Sequence, residues 1–330
     1  MPQYLGVPGT QICDRKWPPN PDPLCILRWH WFGTLLRWCE VIPDWLQEIA
    51  LLFSFRALRF VTLSVAALFA APVAAQTDPC GASDDPCAID SGTYHVLEPS
   101  TGPNGIVVHL HGGGGTGKGM LGSGLAMSAL ERGYIVVAPN GFHPNARFTR
   151  NWSVKAKVTT FERDDIVFLQ EVLEDVRIRL DDVELPVLLA GFSRGASMVW
   201  DVACAAPDYA DAYAPVAGAF WDDMPTEFQG PVKLFHTHGW NDRTVPLEGR
   251  SLRDHTVVQG DVWESLKILR ATNGCRARQP ESSSFDGDFW FRHWTDCEAG
   301  RIDLMLHKGG HGAPPGWAAA MLDWFEGTLG

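Results

Sequence analysis

The segment 188–196 (LLAGFSRGA) constrains the fold of this chain more than any other feature. It runs from an apolar strand into the pattern G-x-S-x-G and then into a predicted helix. Gly191 and Gly195 allow backbones to approach a sharp turn that presents the hydroxyl of Ser193 at the helix N-terminus. Partial positive charge there favours a developing oxyanion. An ordinary tight turn is the alternative, but the flanking strand and helix predict Ser193 as a nucleophile.

Apolar runs alternate with amphipathic stretches along residues 76–330. This pattern predicts one α/β domain, with a mainly parallel sheet, helices on both faces and no large separate lid domain. The predicted strands are 105–110, 134–138, 186–190, 212–216, 232–236 and 302–306, and the predicted helices are 121–132, 164–180, 195–206, 247–272 and 317–326. The segment 279–288 is the most loop-like part of the chain.

The charge balance limits the classes of partner. The 330 residues carry a formal charge of -12, and 45% of them are hydrophobic. That length and composition suffice for a sizeable core. An acidic surface disfavours non-specific binding of nucleic acid or anionic membranes, so we expect neither as a partner.

Residues 51–75 have the layout of a secretory signal peptide. Two arginines precede the apolar run 60–71, and small residues end at Ala75. The run is shorter than the about 20 residues that span a bilayer as a helix. We expect cleavage before Gln76, a secreted protein (extracellular or periplasmic) and no stable membrane insertion afterwards. A retained N-terminal anchor is the alternative.

The preceding residues, 1–50, have mixed charge, scattered prolines and no clear period. No methionine lies between Met1 and Met120. We interpret residues 1–50 as an over-extended start assignment, with initiation near Leu51. A poorly structured extension is the alternative.

Five cysteines follow the predicted cleavage site, in a compartment where disulfides persist. Spacing alone leaves their connectivity open. We favour Cys80 with Cys87 and Cys275 with Cys297, because each pair is close in sequence and flanked by turn residues. Cys204, in an apolar stretch, is then expected to be a buried free thiol.

A second glycine-rich segment, 106–117 (IVVHLHGGGGTG), also follows a predicted strand. Its G-x-G-x-x-G pattern suggests dinucleotide binding, but no acidic residue ends the next strand. The segment also resembles a phosphate loop, but that motif requires a Ser or Thr that ligates magnesium at the position of Gly119, so the segment does not fit it.

An oxyanion-hole loop explains this glycine cluster and the nucleophile together. Its backbone N–H would complement that of Arg194, the residue after the nucleophile. We favour Gly113 as the loop donor. Its neighbours Gly112 and Gly114 stay open as alternatives.

A serine nucleophile needs a histidine base that a carboxylate orients, in the chain order Ser, acid, His. Asp242 follows a strand in a loop at the sheet's carboxyl edge, where catalytic groups gather, so we predict Asp242 as the acid. His311, between two glycines beyond the last strand, is the predicted base, and His307 is expected to be structural. Less clearly strand-terminal rivals for the acid are Asp222, Asp223, Glu248 and Asp254.

His236 and His238 alternate along one strand end, which would suit two metal ligands. No third ligand follows at a useful spacing. We therefore expect core or pocket-wall roles for both, and we predict no metal and no cofactor.

Taken together, these segments resemble the secreted polyhydroxybutyrate depolymerase and feruloyl esterase family of α/β-hydrolases. The resemblance covers about residues 92–324 and rests on GTY, LHGGGGTG, RDDIVFL, GFSRGASM, APVAG, HGWNDRTVP and GGHG. It implies an extracellular serine esterase with an α/β-hydrolase fold and no cofactor. The family's nucleophile, acid and base match Ser193, Asp242 and His311, and its C-terminal disulfide matches Cys275 and Cys297.

The chain departs from the family pattern beside two of these residues. Arg194 and Ala196 stand where members often have a small or amide residue and a glycine, and no Trp-Pro pair follows His311. Both departures bear on substrate identity, because they lie where substrate would rest.

The expected reaction is hydrolysis of carboxylic esters (polyhydroxyalkanoate, feruloyl or acetyl) through an acyl-enzyme. Trp152, Trp240 and Trp317 are predicted to bind substrate, with ordinary packing as the alternative for each. A non-catalytic binding protein on the same scaffold, an amidase and an acyltransferase are alternatives, because a fold alone does not prove activity. The sequence leaves the oligomeric state open.

Overall fold

The computed structural model describes residues 80–82, 84–143, 149–154, 162–181, 184–253 and 255–330. The predictions for residues 1–50 and 51–75 lie outside this part of the chain. Among the described residues, we find no helix with the length and hydropathy that a bilayer crossing requires.

The domain is built on a ten-stranded sheet and a separate two-stranded sheet. Along the large sheet the strand order is β1-β2-β4-β3-β5-β6-β7-β12-β11-β10, and β8 pairs with β9. The six central strands, β4, β3, β5, β6, β7 and β12, run parallel to one another. The strands on either side of them, β1 and β2 at one edge and β11 and β10 at the other, pair antiparallel. The strands are β1 Cys87–Ile89, β2 Gly92–Leu97, β3 Gly105–Leu110, β4 Tyr134–Pro139, β5 Val187–Phe192, β6 Ala212–Val216, β7 Lys233–Gly239, β8 Arg250–Leu252, β9 Val257–Gln259, β10 Ser282–Asp286, β11 Phe289–Trp294 and β12 Arg301–His307.

Helices cover both faces of the large sheet. They are α1 Gly117–Leu121, α2 Gly124–Glu131, α3 Asp165–Leu180, α4 Arg194–Ala205, α5 Val262–Thr272 and α6 Trp317–Glu326. Strand residues alternate between the faces, so that Val108 packs with helices α3, α4 and α5, whereas Val107 packs with α2 and α6. Both residues are fully buried, as expected for strands covered on both sides.

The predicted α/β architecture and all six predicted strands are confirmed, but two of the predicted helices need correction. Helix 121–132 divides at Ser123, which caps α2 by accepting from the Ala126 N–H. Helix 247–272 is wrong in its first half, because that segment folds into β8 and β9. The helix begins at Val262, where Asp261 accepts from two backbone N–H groups.

The loop-like interpretation of 279–288 is also wrong. Residues Ser282–Asp286 form β10, which pairs with β11 in the register Ser282 to His293. All five β10 residues are exposed, so no hydrophobic alternation marks this strand in the sequence. Stacking of Phe285 on Trp290 supports the pairing.

The cysteine predictions are confirmed in part. Disulfides join Cys80 to Cys87 and Cys275 to Cys297, as expected. Cys204 is fully buried, but the free-thiol prediction is wrong, because this cysteine is also disulfide-bonded. Sequence spacing does not show which distant segments meet, so proximity along the chain favoured only the two short-range pairs.

Candidate active site

Ser193 lies at a strained turn between β5 and α4. Its backbone has a φ of 56° and a ψ of -116°, in a region that costs a non-glycine residue about 1–3 kcal/mol. A Cβ on Gly195 would lie 2.5 Å from the Leu110 carbonyl oxygen, and one on Gly191 would lie 2.6 Å from the Gly195 oxygen. Both glycines are therefore required for the close packing that holds this turn.

A continuous line of hydrogen bonds joins the three predicted catalytic residues. The Ser193 hydroxyl oxygen lies 2.9 Å from His311 Nε2, and His311 Nδ1 lies 2.8 Å from Asp242 Oδ2. Asp242 is buried and also accepts from the N–H groups of Thr244 and Val245 through Oδ1. The carboxylate thus favours the tautomer in which His311 Nδ1 is protonated, which leaves Nε2 to accept the serine proton.

The loops that carry the acid and the base are bonded to each other. The Trp240 N–H donates to the His307 carbonyl oxygen over 2.7 Å, and the Asn241 N–H donates to that of Gly309 over 3.0 Å. A Cβ on Gly239 would lie 2.2 Å from the Gly310 oxygen. Because β7 and β12 are parallel neighbours, their carboxyl ends meet and align the two loops.

The rival residues do not join this arrangement. His307 stays at the end of β12, where its Nδ1 accepts from the Gly309 N–H over 3.1 Å. Among the described residues, no carboxylate other than Asp242 forms a hydrogen bond or ion pair with His311. The rival Asp254 lies outside the described residues.

The glycine-rich loop adjoins the nucleophile. A Cβ on Gly113 would lie 3.9 Å from the Cβ of Arg194, so the two predicted donors are neighbours. The Gly114 N–H donates to the Arg150 carbonyl oxygen over 2.8 Å, so Gly114 is no longer a candidate for the oxyanion-hole donor. Within the described part of the chain, the Gly113 N–H has no acceptor. The Gly112 N–H also has no acceptor among the described residues, so Gly112 and Gly113 both stay candidates for the loop donor.

Two of the three predicted substrate-binding tryptophans are instead packed in the interior. Trp152 is 0% exposed, and its Nε1 donates to the His111 carbonyl oxygen over 2.8 Å. Trp317 is 5% exposed and belongs to the core beneath α6. The substrate-binding prediction is corrected for both, because strand-end position alone does not distinguish a groove wall from the core behind it.

The fold and the site can be compared with known proteins. No family model matches the chain. The chain is 25% identical over 190 residues to the probable feruloyl esterase C of Aspergillus terreus, which is 57% of this chain and 61% of that protein. It is also 25% identical over 191 residues to feruloyl esterase C of Emericella nidulans, covering 57% and 60% of the two chains. The chain thus spans about three fifths of the length of these curated relatives.

A solved structure, the acetyl xylan esterase from Aspergillus awamori, superimposes with a TM-score of 0.55 at 18% identity, covering 71% of this chain and 93% of that one. The chain therefore has the α/β-hydrolase fold. In this α/β-hydrolase, the strand–serine–helix turn and the glycine loop lie at the carboxyl edge of the sheet, as the sequence motifs predict.

Trp240, the third predicted substrate-binding tryptophan, is 56% exposed in this α/β-hydrolase. It belongs to an aromatic cluster with Trp263, Trp290 and Phe285, whose rings lie 5.9–6.5 Å from their neighbours. Trp240 lies in the loop that carries Asp242, and its backbone N–H donates to the His307 carbonyl oxygen. The contribution of β10 and β11 to this cluster is not visible in the sequence, because β10 has no strand-like hydrophobic pattern.

The two strand-end histidines contact each other, and one of them lies close to Asp242. His236 Nε2 lies 3.0 Å from His238 Nδ1, and His238 Nε2 donates to the Val245 carbonyl oxygen over 2.7 Å. His238 Nε2 is also 3.5 Å from Asp242 Oδ2. Burial lowers the pKa of both histidines, and His238 lies against the Asp242 loop. No group of three candidate metal ligands occurs among the described residues.

Buried histidines should make the stability of this α/β-hydrolase depend on pH. Burial lowers the pKa of His109 and of His111 from 6.5 to about 4. The unfolded chain therefore binds protons first as the pH falls, so stability is full above pH 6.5 and declines toward pH 4. We expect the free energy of unfolding at pH 5 to be lower than at pH 7.5 by about 2 kcal/mol for each of these histidines.

Urea unfolding at both pH values tests this expectation. A His109→Gln variant removes one of the titrating groups, so its stability should change less between pH 7.5 and pH 5 than that of the wild type. A wild-type stability that is equal at both pH values would contradict the neutral assignment of these rings.

Proposed function

We propose that this α/β-hydrolase is a serine esterase that hydrolyses carboxylic esters through an acyl-enzyme. The hydrogen-bonded line from Ser193 through His311 to Asp242 carries the proposal. Nucleophile, base and orienting acid are each within 2.9 Å of the next group, which is the spacing that proton transfer requires. The feruloyl esterases among its relatives agree with this chemistry.

In the first step, Ser193 Oγ attacks the ester carbonyl carbon while its proton passes to His311 Nε2. The N–H groups of Gly113 and Arg194 bind the oxygen that becomes negative. The tetrahedral adduct then collapses, and His311 returns the proton to the departing alcohol. In the second step, His311 deprotonates a water that attacks the acyl-enzyme, and collapse of the second adduct releases the acid and restores the Ser193 hydroxyl. Asp242 stabilises the imidazolium in both steps.

Substrate preference is proposed from the surface around Trp240. Its exposed indole and the adjoining aromatic cluster offer flat apolar faces that favour stacking with aromatic acyl groups or with polymer repeats. Feruloyl and acetyl esters are the first candidates, because relatives and a structural neighbour carry those names. Polyhydroxyalkanoate is a further candidate on the sequence resemblance.

We also propose that the enzyme is secreted, to the extracellular space or the periplasm. The disulfides Cys80–Cys87 and Cys275–Cys297 favour an oxidising compartment. The signal-peptide pattern in residues 51–75 points the same way. N-terminal sequencing of the exported protein should begin at Gln76, and recovery of a chain that retains residues 51–75 would contradict the cleavage.

An activity panel tests the esterase proposal. It compares 4-nitrophenyl acetate, methyl ferulate, acetylated xylan and polyhydroxybutyrate film, together with labelling by a fluorophosphonate probe. We expect hydrolysis of at least one ester and covalent labelling at Ser193, because a fluorophosphonate reacts with an activated serine. A folded protein that neither hydrolyses these esters nor is labelled would favour a non-catalytic binding protein. Cleavage of the amide analogue of a panel ester at the same rate as the ester would favour an amidase.

A further inference from the structure

Arg194 carries a guanidinium that has no acceptor among the described residues. Its backbone begins α4 directly after the nucleophile, and its side chain lies over the Trp221 ring at 4.4 Å. The Nη1 atom is shielded from solvent and forms no hydrogen bond. No ion pair joins Arg194 to any described residue, and Asp201 attracts it only at longer range.

The stacking partner of Arg194 is also an unsatisfied donor. Trp221 is 6% exposed, and its Nε1 has no acceptor in the described part of the chain. Guanidinium and indole nitrogens can only donate, so neither group can satisfy the other. A buried donor without an acceptor costs about 1–3 kcal/mol. Seven other buried polar atoms among the described residues also lack a partner, but Arg194 directly follows the nucleophile. Two such donors beside a nucleophile mark a place for an acceptor that the described residues do not supply.

Besides burial, two charged residues act on Arg194: Asp201 raises its pKa, and Arg253 lowers it by a smaller amount. Arg253 is close enough to lower the pKa of Arg194, although burial is the larger cause, and the pKa of Arg194 falls to about 10. Arg250 donates to the carbonyl oxygen of Arg243, the residue after Asp242. Neither Arg243 nor Arg253 forms an ion pair with a described residue. Arg253 is thus a second cation close to Arg194.

We propose that the Arg194–Trp221 pair binds a carboxylate of the substrate, so that the preferred substrates are esters that also carry a free carboxylate. This inference rests on the proposed esterase function and names its substrate class. A carboxylate offers two acceptor oxygens and a negative charge, and a guanidinium binds it with two parallel hydrogen bonds. A neutral ester would offer no negative charge to the Arg194 guanidinium.

Matched esters test the proposal, since a carboxamide has nearly the shape of a carboxylate but no charge. A comparison of monomethyl terephthalate with methyl 4-carbamoylbenzoate tests a carboxylate on the acyl side of the ester. The pair 4-acetoxybenzoate and 4-acetoxybenzamide places it on the alcohol side. In at least one pair, the wild type should have the higher kcat/KM for the carboxylate by about ten-fold or more, and added salt should reduce that preference.

The Arg194→Gln variant should lose the preference by about ten-fold or more, and Arg194→Lys should retain part of it. Arg253→Gln, at an exposed position, should reduce it less. Arg276→Gln is the control for net charge, because Arg276 is exposed and pairs with Asp296. Its preference should equal that of the wild type. Equal kcat/KM values within both wild-type pairs, or a preference that survives Arg194→Gln, would overturn the proposal.

A binding measurement separates this proposal from the esterase proposal. A Ser193→Ala protein, checked for folding by circular dichroism, is titrated with 4-acetoxybenzoate, monomethyl terephthalate and their amides. One carboxylate should bind at least about ten-fold more tightly than its amide, and the difference should disappear in the Ser193→Ala, Arg194→Gln double variant. Equal binding of carboxylates and amides would reject the carboxylate site, even if the wild type hydrolyses all four esters. Absence of hydrolysis with selective binding would reject only the esterase proposal.

Discussion

Replacing Ser193 by alanine is expected to lower kcat for 4-nitrophenyl acetate by about 10³-fold to 10⁶-fold. The substitution removes the only atom that can form the acyl-enzyme in the proposed mechanism, and it leaves His311 without its 2.9 Å partner. A residual rate above that in water should persist, because the N–H groups of Gly113 and Arg194 still bind an oxyanion. Initial rates measured with the variant at high enzyme concentration check the size of the loss.

The matched control is Ser282→Ala, which removes a hydroxyl from the exposed strand β10. Its kcat should equal that of the wild type, and fluorophosphonate should label Ser282→Ala but not Ser193→Ala. Circular dichroism and urea unfolding show whether each variant is folded. If a folded Ser193→Ala protein turned over the ester at the wild-type rate, the nucleophile would lie elsewhere.

Replacing Asp242 by asparagine is expected to lower kcat by about 10⁴-fold while leaving the fold intact. The oxygen of the introduced amide would still accept from the N–H groups of Thr244 and Val245, as Oδ1 of Asp242 does now. The NH₂ group of that amide would then face His311 Nδ1, which at present lies 2.8 Å from a carboxylate oxygen. An amide donor favours the tautomer with the proton on Nε2, so the imidazole could no longer accept the serine proton.

Glu248→Gln is the control for this substitution, because Glu248 is a rival acid in the same segment and is exposed. Its kcat should stay within about two-fold of the wild type. Measured kcat and the urea midpoint for both variants separate a loss of chemistry from a loss of stability. A large loss in Glu248→Gln together with an active Asp242→Asn protein would transfer the acid role to Glu248.

The site could be predicted from the sequence to the extent that it depends on local patterns. The turn around Ser193 requires glycines on both sides for close backbone contacts, and such steric demands are visible as a motif. Asp242 and His311 follow from chain order and from their positions after apolar strands. The predicted strands followed in the same way, because strands buried on both faces are continuous apolar runs.

Predictions that depended on distant contacts were less successful. Strand β10 has five exposed residues, so only its pairing with β11 reveals it. The disulfide of Cys204 and the burial of Trp152 and Trp317 also depend on which segments meet in space. Propensity and periodicity report the immediate neighbours of a residue along an element, and they carry no information about those contacts.

By itself, the sequence determined the α/β architecture, the nucleophile turn, the glycine loop and the identity of the three proposed catalytic residues, because each depends on local steric or periodic constraints. The tertiary structure decided the distances among those residues, the bonding of the Gly114 N–H to the Arg150 carbonyl oxygen, and the contrast between the exposed Trp240 and the buried Trp152. It also placed the Arg194 guanidinium over the Trp221 ring. These features depend on which strand ends become neighbours in the sheet, and burial and hydrogen-bond partners follow only from that packing.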